Sequence, residues 1–322
     1  MPDAAPTRDA VAVPARDPCP GVVVLIPALN ESLRIRGVVQ AALAECPRVI
    51  VVDDGSDDGT DACIADLPIT LIRHASRMGK GAALRDGFRE ALRLGARGIV
   101  TLDGDGQHDP RDIPRLLAAA RRHPRHIVIG ARLRHRSQQP WPRRLANAFG
   151  DWGIGWACGF QLADSQSGQR YYPAEVAALE HLPGEDFVYE AELLISAARR
   201  LGVPAVSVPI EARYADVHAA PAASPVSGSR SDATAAAAHA APAPLRRSHF
   251  RPLHDLWRIV RHVSARILER GRLVADYRTA HAHPPVIDDG DPLGHGEDSH
   301  GRVAHVMADV EGPRPLAVEH RR

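Results

Sequence analysis

The sequence predicts an α/β fold: a mainly parallel sheet with helices on both faces. Three observations carry this. Short apolar runs within 21–27, 48–52, 69–72, 99–102 and 127–130 alternate with segments of helical periodicity, joined by short links. The first run, Val22 to Ile26, is apolar throughout, as a strand covered on both faces is. Three of the runs end in acidic or polar loops, 27–32, 53–60 and 103–109, and in a parallel sheet such loops open on one edge.

The elements follow in order. Residues 1–20 are rich in Ala, Pro and Asp and read as a disordered arm. Val22 to Ile26 forms the first strand, and a helix carrying Leu33, Val38, Ala41 and Ala42 runs to about Glu45. A second strand ends at Val52, a helix follows to about Ala65, and Ile69 to Ile72 is a third strand. A Gly-rich turn at 76–81 leads into a helix over 82–94. The fourth strand, 99–102, precedes a helix over 113–122, and 127–130 is the fifth strand. Beyond it come a basic stretch and an aromatic segment, 146–162, in which Phe149, Trp152, Trp156 and Phe160 recur at helical spacing. That stripe suits a core or an interface. A helix opening at Glu185 and a strand at 205–208 complete a domain over 21–214.

Residues 215–245 are dominated by Ala, Pro and Ser and read as a flexible insertion. Order resumes over 246–278 with an amphipathic helix, 253–270. Its Leu253, Leu256, Trp257, Val260, Val263 and Ile267 lie on one side, with arginines around the rest. Such a helix can lie on an anionic membrane or pack its apolar side on the domain. Residues 279–322 read as a disordered tail.

The chain has 322 residues, 44% hydrophobic and 25% charged, which is enough to bury a full core. A net charge of +1 gives it no polyanion-binding character, so no nucleic-acid partner is expected. Lys80 is the sole lysine. The four cysteines have neither metal-ligand spacing nor a disulfide pattern, which points to a reducing, cytoplasmic compartment. No apolar run approaches the length of a membrane span, and residues 1–20 contain no signal-peptide core.

The chemistry concentrates at Asp103-Gly104-Asp105, at the end of the fourth strand. Two carboxylates there suit a hard divalent cation, Mg²⁺ or Mn²⁺, held together with substrate phosphates. A Gly/Asp turn alone would look the same, but convergence of three such loops favours a ligand site. Asp53 and Asp54 end the second strand, where one carboxylate can accept from a nucleobase or ribose and a neighbour can cap a helix. Gly79-Lys80-Gly81 before a helix suits an anion, although it lacks the spacing of a Walker loop. Arg132, Arg143 or Arg144, and Arg170 are candidate phosphate ligands, because the guanidinium fork matches phosphate oxygens.

Taken in order, Pro27-x-x-Asn30-Glu31, Val52-Asp53-Asp54-Gly55-Ser56, Gly79-Lys80-Gly81 and Asp103-x-Asp105-Gly106-Gln107-His108 strongly resemble the family 2 glycosyltransferases of GT-A fold, in their dolichyl-phosphate mannose synthase-like branch. The resemblance covers about residues 21–213. It implies that Pro27, Leu29, Glu31, Val52 and Asp54 bind the nucleotide, with Lys80, Gly104 and Arg132 completing the nucleotide-sugar site. It implies that Asp103 and Asp105 hold the metal, with Gln107 as a further ligand. Ser167-Gly168-Gln169-Arg170 stands where the family has Ser-Gly-Phe-Arg, with Gln169 in place of the phenylalanine, and Glu190-Ala191-Glu192 stands for its Glu-x-Glu. The implied function is metal-dependent, inverting transfer of a sugar from a UDP- or GDP-sugar to a lipid or polyprenyl-phosphate acceptor. The expected setting is the inner face of the cytoplasmic membrane, with the protein peripheral on its surface and serving cell-envelope glycan or glycolipid synthesis. Arg143, Arg144 and Arg170 would position the acceptor. A hydroxyl acceptor would need a base, for which Asp164, Asp186 and Glu190 are candidates. Two rival readings are a sugar-nucleotide nucleotidyltransferase and a non-catalytic membrane-associated scaffold that keeps the fold.

Overall fold

The computed structural model describes residues 17–133, 141–211 and 252–290, with the side chains of 141–143, 187 and 252–256 also outside the description. The expected insertion at 215–245, most of the N-terminal arm and the tail beyond 290 lie outside the described residues.

Seven strands form one sheet: β1 (Val22–Ala28), β2 (Val49–Asp53), β3 (Thr70–Arg73), β4 (Gly98–Thr101), β5 (Ile127–Ala131), β6 (Arg170–Pro173) and β7 (Ala205–Pro209). Their order is β3-β2-β1-β4-β6-β5-β7. All neighbouring pairs are parallel except those of β6, which runs antiparallel to both β4 and β5. β6 is a strand that the sequence reading did not anticipate. Its Arg-Tyr-Tyr-Pro composition lacks the apolar run of the others, and it is held by neighbours distant in sequence.

Helices cover both faces. α1 (Ile35–Glu45) and α3 (Ile113–Arg122) bury Ile35, Val39, Ile113 and Leu117 against Val24, Ile26 and Val51. α2 (Lys80–Arg93) buries Ala83, Leu84, Phe88 and Ala91 on the other face, against Leu25 and Val52. α4 (Trp141–Cys158) and α6 (Phe187–Ser196) extend that second layer, and the short α5 (Ala174–Ala177) follows β6. Close-packed aliphatic side chains with almost no exposure dominate both layers, so burial of apolar surface is the main source of stability. The helix expected near residue 62 is only a 3₁₀ turn, Ala62–Ile64.

Two further expectations need correction. The C-terminal segment is two helices, α7 (Pro252–Leu268) and α8 (Leu273–Ala280), separated at Gly271, whose φ of 64° favours glycine. The chain from 281 to 290 then docks instead of fraying: Ile287 bridges Ser207 of β7, and Asp288 pairs with Arg122 at 2.8 Å. Second, Cys19 and Cys46 form a disulfide, with Cα atoms 5.8 Å apart, while Cys63 and Cys158 are free. The pairing arises because the entry to β1 lies beside the end of α1, a proximity that residue spacing does not reveal.

Candidate active site

The site lies at the carboxyl ends of β1, β2 and β4. Pro27, Leu29, Glu31 and Asp54 line a cavity of about 120 Å³ together with Lys80, Asp103, Gly104 and Asp105. The three loops expected to converge therefore do so. Arg77 and Asp186 also face this cavity.

The loops brace one another. Asn30 donates from its backbone N–H to Ser56 Oγ at 2.8 Å, and Glu31 from its own to Thr60 Oγ1 at 2.8 Å. Asp54 is buried and accepts from the backbone N–H groups of Met78 and Gly79, each at 2.8 Å. His74 Nδ1 lies 2.7 Å from the same carboxylate, and its Nε2 lies 3.1 Å from Asp86. Asp54 thus fixes the turn that starts α2, where Gly79 takes a φ of 95° that other residues rarely adopt. That turn delivers Lys80. Val52, by contrast, is wholly buried beneath α2, so its side chain belongs to the core and not to the cavity.

Asp103 and Asp105 follow β4. Lys80 Nζ contacts Asp103 Oδ1 at 2.7 Å and Glu190 Oε2 at 3.1 Å. Burial pushes Asp103 up, but the Lys80 charge, with His108 and Arg132 nearby, outweighs it and holds the carboxyl below its usual range. Asp105 moves the other way: burial and the adjacent Asp103 charge both raise it. His108 Nδ1 is 3.8 Å from Asp103, and burial pushes that imidazole down to about 4. Gln107 donates its backbone N–H to Asp105 at 2.9 Å. Gly168 closes the wall: a Cβ there would stand 2.3 Å from Asp103 Oδ2.

Among the described residues, no group of three or more His, Cys, Asp or Glu could hold a metal by itself. The donor set is two carboxylates in a cleft. It fits a hard cation that takes its remaining ligands from a diphosphate and water.

The arginines separate. Arg132 is clamped by Asp164, with Nε and Nη2 donating to its carboxylate at 2.7 and 2.6 Å. This fork holds Asp164 below its usual range against the opposing effect of burial. Both carboxylate oxygens of Asp164, a base candidate above, are engaged by Arg132, an arrangement that positions the guanidinium. Arg170 is also corrected. It is 1% exposed and donates to the backbone oxygens of Ser165, Ser167 and Glu190 and to Tyr172 Oη, so it braces the loop before β6 from inside. Arg144 lies exposed on α4, and the side chain of Arg143 is outside the described residues.

A mainly parallel α/β sheet with a two-carboxylate cleft at its carboxyl edge is a GT-A architecture. The profile described as "Glycosyl transferase family 2" matches residues 23–170. The undecaprenyl-phosphate mannosyltransferase of Micrococcus luteus is 33% identical over 203 residues, which cover 59% of this chain and 82% of that protein. The polyprenol monophosphomannose synthase of Mycolicibacterium smegmatis is 30% identical over 213 residues, 60% of this chain and 77% of that one. Among solved structures, glucosyl-3-phosphoglycerate synthase of Mycobacterium tuberculosis, in complex with Mn²⁺, UDP and phosphoglyceric acid, shares the fold. It superposes with a TM-score of 0.50 and 22% identity over 78% of each chain. The chain belongs to glycosyl transferase family 2 and is a glycosyltransferase. That membership removes both rival readings.

Proposed function

We propose that the protein transfers a sugar from a nucleoside-diphosphate donor to a polyprenyl phosphate or similar lipid acceptor, with inversion at the anomeric carbon. The observation that carries this reading is the meeting of Asp103, Asp105 and Lys80 with the 27–31 loop and Asp54 in one cavity. The polyprenyl-phosphate relatives support the acceptor class.

In this reading Pro27, Leu29, Glu31 and Asp54 bind and orient the nucleoside. Asp103 and Asp105 would hold Mg²⁺ or Mn²⁺, with Gln107 beside them. When bound, that ion supplies Lewis-acid stabilisation of the leaving diphosphate. Lys80 and Arg132 add fixed positive charge where negative charge develops. The acceptor oxygen attacks the anomeric carbon as the bond to the nucleoside diphosphate breaks. A phosphate acceptor is already anionic and needs no base, which agrees with the pinned state of Asp164. Arg143 and Arg144 are the proposed acceptor-phosphate contacts. No helix among the described residues is long and apolar enough to cross a membrane, so we propose peripheral association on the donor-accessible inner face, in envelope glycan or glycolipid synthesis.

The test is binding and slow hydrolysis of a panel of UDP- and GDP-sugars with Mn²⁺, Mg²⁺ or chelator, on wild type and Asp105→Ala. Metal-dependent binding of one donor, lost in the variant, is expected. Failure of every donor to bind with either metal would overturn the reading.

A further inference from the structure

α4, α7 and α8 meet around an apolar groove of about 310 Å³, floored by Gly153, Ile154, Val263 and Ile267. Of its lining residues, Trp152 is 40% exposed, Phe149 48% and Leu268 64%; Trp257, three residues before Val260 on α7, is 60% exposed, and Val274, next to Leu273 on α8, 64%. Trp152, Trp156 and Tyr277 form a chain of edge-to-face rings across α4 and α8, 5.5 and 5.2 Å apart. A contiguous exposed surface of this kind marks an interaction site.

The basic residues on these helices include an inward and an outward set; of the acidic ones, Glu269 contacts Arg266 and Asp276 contacts Arg270. Arg258, His262 and Arg266, on successive turns of α7, turn inward to Asp186 and Glu192 of the neighbouring segment. Arg144, Arg261, Arg272 and Arg278 remain exposed on the same three helices or their junction. Arg261 lies over the Trp257 ring at 5.1 Å. Aromatic side chains mixed with arginines suit the boundary between headgroups and acyl chains. A second copy fits less well, because a two-fold contact would press one arginine-rich rim against another.

We propose that this surface seats on an anionic phospholipid bilayer. Trp257 and Trp152 enter the interfacial zone, and Arg261, Arg272 and Arg278 face headgroup phosphates. The purpose of such docking rests on the lipid-linked reading above; its evidence is the surface itself.

All four tryptophans lie on α4 and α7, and Trp152 and Trp156 line the groove, so intrinsic fluorescence responds to its occupation. The experiment mixes the full chain with vesicles of phosphatidylcholine alone or with phosphatidylglycerol, at low and high salt, and reads flotation and emission. Binding to the anionic vesicles, with a blue shift and weakening by salt, is expected. Trp257→Glu, and separately Arg272→Glu with Arg278→Glu, should lower vesicle affinity about tenfold while leaving donor binding unchanged. Because all three residues are exposed, two independent variants guard against a folding artefact. The proposal is overturned if wild type ignores anionic vesicles, if both variants bind as wild type does, or if sedimentation shows a dimer that Trp257→Glu dissolves. Donor binding in the same samples separates the two readings: vesicle binding without any donor sinks the proposed function and leaves the surface standing.

Discussion

The ammonium of Lys80 lies 2.7 Å from Oδ1 of Asp103. Burial pushes that ammonium down, but the charges of Asp103 and Glu190 outweigh it and keep the lysine protonated. Lys80→Met leaves two carboxylates facing one another beside a third, Asp105. We expect kcat/KM to fall about 10²- to 10³-fold, the scale of losing one preorganised donor in a low-dielectric site. Lys80→Arg should recover part of it. Unchanged steady-state kinetics in Lys80→Met would confine the lysine to a structural role.

Gly168 faces the same carboxylate from the opposite wall. Its substitution by alanine sets a methyl against Asp103 Oδ2 and forces one of them to move. Overpacking of this sort costs about 1–3 kcal/mol. The expected result is a folded protein whose metal-dependent donor affinity, read by calorimetry with Mn²⁺, is weakened far more than its melting temperature is lowered.

Arg132 and Asp164 make a test of the base question. Asp164→Asn keeps the shape of the clamp but loses its charge, so Arg132 becomes less firmly placed. Activity should drop less than in Arg132→Ala, and the dependence of rate on pH should keep its form. If Asp164→Asn abolished turnover with the acceptor while donor hydrolysis survived, the carboxylate would be the proton acceptor after all.

A pH effect follows from Glu192, which is fully buried on α6. Burial raises it, but hydrogen bonds from His262 and Ser196 and the charge of Arg266 bring it below the ordinary value of 4.5. Arg199 and the Cys158 thiol also face it. A carboxyl lowered on folding contributes stability above its unfolded value, and that contribution is lost as pH falls through the folded one. The melting temperature of wild type should therefore drop between about pH 5 and pH 3 more steeply than that of Glu192→Gln. Parallel curves would show that the clasp between α6 and α7 is energetically silent.

Most strands were legible because their apolar runs leave no other use for them. The loops that line the cavity were legible for a related reason: they follow directly from those strands. What stayed hidden depends on contacts between distant segments. β6 owes its place to β4 and β5, not to its own composition. Arg170 reads as a surface phosphate ligand until the carbonyls of Ser165 and Ser167 are seen to surround it. His74 has no signal in sequence, since only the folded chain sets it between Asp54 and Asp86. The pairing of Arg132 with Asp164 was hidden too, because 31 intervening residues separate two groups that only the folded chain brings together.

The inward arginines of α7 bear on how the chain can be shortened. The family segment ends at residue 170, yet β7, α6 and α7 complete the sheet and the second helical layer. Cutting before α7 would strip His262 and Arg266 from Glu192, leaving Ser196 as its remaining hydrogen-bond donor in an apolar interior. A fragment drawn from the homology boundary would thus carry its own instability and is expected to melt below the full chain.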